Sequence, residues 1–395
     1  MIRRTIWTCG LILIGLQHSS LGDEGDAFDE LYDVLMIRRA LNGDSYGENE
    51  ISPIIFKFSA FPFDDATFPR LKTALNNMTP ENIKALSHPQ RAVLQRQLWA
   101  VFDATTPSRF RTGRSHQKHR DAVRSQLADL IRKLALSRSE IEALPSTLLA
   151  TVRSKKYPSK FTIESPFQPF LPPELSDNSS GWICFGRRSS PVTFHARDNR
   201  WRSAFFQFIR LPKGRQASID YLRHWKKENA FPAGTQVALI EQAFLISNDG
   251  AIVLSPLTAS IQLRAFRNVE EHVREAESTT QCVAEFISRP RDYANGNALL
   301  TAVQSSDFRL KVLTAGGKND LLDLVKDPTV SVLPRLQQCM NCHGGAGTNS
   351  LGDVVVPRGE LKSLQQRSRA EIAEATARAK QEDSSWQLLQ AALEE

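Results

Sequence analysis

The stretch Cys339-Met340-Asn341-Cys342-His343 holds the residues of this chain whose types and spacing point most directly to chemistry. Two thiols three positions apart on one helical turn reach the vinyl groups along one edge of a porphyrin. A histidine directly after the second cysteine then faces the iron from the same side. From the composition, chance would produce this pattern in about one such chain in a thousand. Cys339 and Cys342 are therefore read as thioether sites for one covalent haem c, with His343 as the proximal iron ligand. A thioredoxin-type pair would need a preceding strand in an α/β unit and has no use for His343. Structural zinc would need two more ligands at close spacing, and the neighbouring residues supply none. Gly344, Gly345 and Gly347 follow, either to let backbone pass close to the ring or as a plain loop. Arg335, one helical turn earlier, is a propionate partner or an exposed helical arginine.

The far side of the iron decides the chemistry. A His/Met pair makes a closed electron carrier, whereas an open position permits ligand binding or an oxidoreductase. Residues 344–395 contain neither Met nor His, and Met340, inside the motif, cannot reach the opposite face. A distal ligand must come from Lys362 or Lys380, from upstream, or be absent. The upstream candidates are Met36, Met78, His88, His116, His119, His195, His224 and His272.

The string CMNCHGG at 339–345 resembles the attachment site of the cytochrome c superfamily. That resemblance implies the same roles for Cys339, Cys342 and His343, and the missing downstream Met departs from the small class I pattern. LWAVFD (98–103), IEALPSTLLATV (141–152), FLPPEL (170–175) and PAGTQVALIEQAFLISNDG (232–250) are similar to segments of uncharacterised large secreted bacterial proteins with a C-terminal cytochrome-c-like domain. This wider resemblance implies architecture and export, and no activity.

At the amino end, Arg3 and Arg4 precede an apolar run from Ile6 to Leu16, and Ser20-Leu21-Gly22 supplies small residues for cleavage. This reads as a signal peptide over 1–22, hence a periplasmic or otherwise extracytoplasmic protein. Cys184 and Cys282 would then meet an oxidising compartment, as a bridge or as two buried thiols. With 41% hydrophobic and 24% charged residues, disordered and collagen-like classes are excluded. Residues 108–160 hold thirteen Lys/Arg against four acids, a basic face for a redox protein partner or peripheral membrane contact, or simply a solvated helix surface. Without basic-aromatic interleaving, nucleic acid is not expected.

The expected fold class is α+β and multidomain. Residues 23–157 read as a helical region: Asp26 caps a helix bearing Phe28, Leu31 and Leu35, and Pro89 opens one with Val93, Leu94, Leu98 and Val101. Val123, Leu127, Leu130, Ile131 and Leu134 stripe another between His119 and Leu136. Prolines 158, 166, 169, 172 and 173 end this texture, and 158–268 reads as a small antiparallel β domain. Its strands are 182–185, 205–211, 236–246 with 251–254 around Asn248-Asp249-Gly250, and 260–266. Residues 269–395 read as a mainly α, cytochrome c-like haem domain, helical over 270–277 and 360–393. The function expected is electron transfer. Alternatives are an enzyme or sensor with an open distal site, and a binding module built on the β domain.

Overall fold

The computed structural model describes residues 26–39, 45–47, 62–106, 116–162, 168–177, 180–187, 191–224, 232–266, 281–303 and 364–394. The signal segment, the haem motif, His272 and Lys362 lie outside them.

The helices of the first half start where the sequence places caps. Helix α1 (Ala27–Met36) begins at Asp26, whose carboxylate accepts from the Phe28 amide, and it buries Phe28, Leu31 and Leu35. The two-residue strands β1 (Arg38–Arg39) and β2 (Ser45–Tyr46) pair beyond it. Helices α2 (Phe68–Asn76) and α3 (Pro80–Ala85) carry Pro in their first turns, where no amide is needed. Helix α4 (His88–Thr105) opens on a reciprocal capping box between Ser87 and Gln90. Every residue of α4 from Ala92 to Thr105 is buried, so this helix runs through the core and not along its surface. Around it come α5 (Gln117–Lys133), which buries the expected stripe, α6 (Arg138–Glu142) and α7 (Thr147–Ser154).

Past a 3-10 turn at Pro173–Ser176 the chain enters a sheet. Its elements are β3 (Ile183–Arg187), α8 (Phe194–Asp198), β4 (Ser203–Arg210), α9 (Arg215–Arg223), β5 (Gln236–Ile246) and β6 (Ile252–Phe266). The β5–β6 hairpin turns at Asn248-Asp249-Gly250, with Gly250 at a φ of 79°. The strands expected at 251–254 and 260–266 are one strand, β6. Its register shifts around Gln242, whose partner is Thr258, and Pro256 falls in the unpaired stretch of β6 between Leu254 and Thr258, where a ladder amide is not required. Ser255 Oγ donates to the Ala243 carbonyl at 2.8 Å and Gln242 Nε2 to the Ser255 carbonyl, restoring bonds the bulge removes.

The helix expected at 270–277 lies outside the described residues, and the next described element after Phe266 is a strand. Residues 281–303 form β7 (Gln281–Ser288), α10 (Pro290–Ala294) and β8 (Leu300–Ala302), and 364–366 form β9 (Leu364–Gln366) before α11 (Arg369–Gln381) and α12 (Ser384–Glu394). All pairings are antiparallel, in the order β8-β7-β6-β5-β4-β3-β9. The fold is thus α+β, and the sheet runs across the boundary expected at 268, because β6 and β7 pair along seven residues from Ser260 to Phe266.

Ala204, Phe206 and Phe208 of β4, Ile261 and Leu263 of β6, and Phe286 of β7 share one core with α1, α4, α5 and the terminal helices. Alternate residues Ile209, Val237, Phe266 and Leu364 pack with Leu222 of α9 in a smaller second core. The sheet also separates the two cysteines. Cys184 on β3 and Cys282 on β7 are four strand spacings apart, roughly 19 Å, far beyond disulfide reach. Cys184 is a free thiol, and burial pushes it up to about 12. Among the described residues no helix is long and apolar enough to cross a membrane.

Candidate functional site

Cys339, Cys342 and His343 lie outside the described residues, but the structure places most of the candidates for the far side of the iron. Met36 and Met78 are buried in the helical core. His88 stands at the start of α4, 3.5 Å from Glu140. His195 stacks on Phe205 with ring centres 5.6 Å apart, and His224 Nδ1 is 2.9 Å from the Asp220 carbonyl at the end of α9.

Lys380 is committed elsewhere. Helix α11 buries Ile372, Thr376 and Lys380, one residue per turn, and Lys380 is fully buried. Its Nζ donates to both oxygens of Asp103 on α4, at 2.9 and 2.8 Å, and to Ser385 Oγ at 2.9 Å. Ser385 Oγ donates to Asp103 Oδ1 at 2.7 Å, and Arg202 Nη1 donates to Asp103 Oδ2. Burial raises the Asp103 carboxyl, yet Lys380, Arg202 and Arg200 outweigh it and hold the group well below the usual carboxylate range. Burial pulls the Lys380 ammonium down to about 8 against the attraction of Asp103, so the pair is ionised at neutral pH.

The network continues from Arg202. Its Nη2 donates to Asn199 Oδ1 at 3.2 Å, and Asn199 Nδ2 donates to Ser203 Oγ and to Glu241 Oε1 at 3.0 and 2.8 Å. Glu241 also accepts from Ser203 and from Ser260, while Arg96 Nη2 donates to Ser203 Oγ at 2.7 Å. Arg200 and Trp201 both hold left-handed backbone, at φ 49° and 55°. This local strain sends Arg200 to the Asp103 carbonyl and to Asp383, and Arg202 to the Asp103 carboxylate. One buried network thus joins α4, the 199–203 segment, β5, β6 and the α11–α12 pair. Among the described residues Arg96, with its guanidinium over the Trp99 ring at 5.7 Å, has no hydrogen-bond partner for Nε and Nη1.

A second constellation is partly exposed. His116 and His119 lie one turn apart at the start of α5, and Asp65 stands in the turn leading to α2. Asp65 Oδ1 is 3.6 Å from His116 Nδ1 and 3.7 Å from His119 Nδ1. The Phe63 carbonyl accepts from His119 Nδ1 at 2.8 Å, and the Phe68 ring stacks on His119 with centres 4.0 Å apart. Asp64 fixes the turn by accepting from the Thr67 amide at 2.9 Å and its hydroxyl at 3.1 Å. The His-x-x-His spacing was visible in the sequence, but nothing there linked it to Asp65.

The basic region is partly neutralised by its own acids, with Arg124 paired to Asp121 and Arg132 and Lys133 to Asp129. No family model matches this chain, and neither a curated protein nor a solved structure matches it.

Proposed function

We propose that this chain is an exported monohaem c-type protein of the cytochrome c kind, acting in electron transfer. Cys339 and Cys342 form the thioether links and His343 is the proximal ligand. The observation that carries this reading is the CMNCH motif itself, in a chain whose first 22 residues have the pattern of a signal peptide. The bound haem would supply a one-electron couple. The chain's own part is to hold it through His343 and to present the 108–160 surface to an acidic redox partner. The motif lies in the stretch 304–363, between edge strands β8 and β9, so the haem unit is proposed within that stretch and not as a terminal domain.

A second reading, an oxidoreductase or ligand sensor with an open distal position, draws on two observations. No Met or His follows His343, and Lys380 is already paired with Asp103.

Replacing Cys339 and Cys342 with Ala is expected to abolish haem that survives a denaturing gel. Retention of stain by the double variant would overturn the proposal. Absorption spectra of the purified protein then separate the two readings. A low-spin spectrum indifferent to cyanide and carbon monoxide supports the carrier; a high-spin ferric spectrum that shifts with cyanide supports the open site.

A further inference from the structure

We infer that Asp65, His116 and His119 form a zinc site, separate from the haem. One ligand atom from each residue lies within 4.8 Å of the other two. Zinc bonded to nitrogen and oxygen at 2.0–2.2 Å in tetrahedral geometry puts neighbouring ligand atoms about 3.4 Å apart. The 3.6 Å between Asp65 Oδ1 and His116 Nδ1 is already close to that edge. Asp65, whose side chain is 86% exposed, can turn to meet both imidazoles.

The two imidazoles are held in place beforehand. A carbonyl can only accept, so the 2.8 Å contact with Phe63 puts a proton on His119 Nδ1 and leaves Nε2 as the lone-pair nitrogen of the neutral ring. A metal-bound histidine that donates its other ring N–H to a backbone carbonyl is the usual outer-shell arrangement, and it fixes ring and tautomer together. Phe68, stacked at an interplanar angle of 7°, prevents the ring from tilting. His116 holds left-handed backbone at φ 63° as the residue preceding α5. A non-glycine residue there is uncommon, and the conformation brings its ring to 5.8 Å from that of His119.

Two imidazoles and a carboxylate suit a borderline divalent ion such as zinc and disfavour calcium or magnesium, which prefer all-oxygen shells. Three protein ligands beside solvent leave the fourth position to water.

The test uses the full-length protein stripped with a chelator, titrated with zinc by calorimetry and with cobalt by visible absorption. One zinc per chain and tetrahedral cobalt bands are expected. His119→Ala and Asp65→Asn should each weaken zinc binding about 100-fold or more, while His224→Ala, remote from the cluster, leaves it unchanged. His116→Asn is the appropriate third variant, because Asn tolerates the left-handed backbone that Ala would strain. Unchanged affinity in folded His116→Asn and His119→Ala proteins would overturn the inference. So would a displaced haem Soret band in His119→Ala with zinc binding intact. Cys339→Ala/Cys342→Ala protein should still bind zinc, so failure of the haem proposal and failure of this one are read separately.

Discussion

Asp103 shows how far one side chain can reach. It sits at the end of LWAVFD, and its carboxylate is buried against Lys380, 277 residues away in sequence, and against Arg202. No local pattern encodes that pairing, and Lys380 looked available to an iron only because residues after the motif offer so few ligands. Asp103→Asn keeps the shape but leaves Lys380 and Arg202 buried without their counter-charge. It is expected to cost about 3–5 kcal/mol in urea unfolding at neutral pH. Because the folded carboxyl is held below its unfolded value, its contribution is fully present above the unfolded pKa, about 3.9, and is lost as pH falls through the depressed folded value. Unfolding followed from pH 6 down to pH 2 should therefore fall less steeply in the Asn variant than in the parent.

At the scale of elements, helix starts were the most legible feature. Asp26 caps the helix expected after it, and the opening expected at Pro89 falls in the first turn of α4, which Ser87 caps, since a side-chain acceptor three residues or fewer from a free amide is local information. Strands after residue 268 were not legible. Strand β7 is buried on both faces, with Glu285 at 1% and Phe286 at 0% exposure, so the polar-apolar alternation that marks a half-buried strand is missing. How helix and sheet meet was equally hidden. Gln95 of α4 accepts from the Ile246 amide at 3.0 Å and donates to the Ile246 carbonyl at 2.7 Å, standing in for a neighbouring strand at the end of β5. Gln95→Leu removes both bonds and leaves two buried backbone groups unpaired, at a cost of about 2–4 kcal/mol. Amide hydrogen exchange should show the Ile246 N–H losing protection before the centre of β5 does.

For the whole molecule, the sequence suggested three consecutive units, whereas the pairing of β6 with β7 and of β3 with β9 draws the sheet from both sides of the middle segment. The texture change at the prolines after 157 is real, but it marks a change of secondary structure within shared cores. An isolated 158–268 fragment would expose Ser260 to Phe266 of β6 as an unpaired edge and lose the helices that cover Phe206 and Ile261. It is expected to be insoluble or to show no cooperative thermal transition by circular dichroism, while the full chain melts in one. A soluble, cooperatively folding fragment would mean that the sheet does not need its flanking strands.

The joining of α4 to α11 by Asp103 and Lys380 also sets an order of events. A chain emerging amino end first presents Asp103 early and Lys380 only after the Cys339-Cys342 stretch has passed. Until then the longest buried helix carries a carboxylate whose main counter-charge has not yet arrived, and β3 lacks its neighbour β9. Native packing is thus timed to the arrival of α11, and the cysteines enter a molecule that has not yet closed.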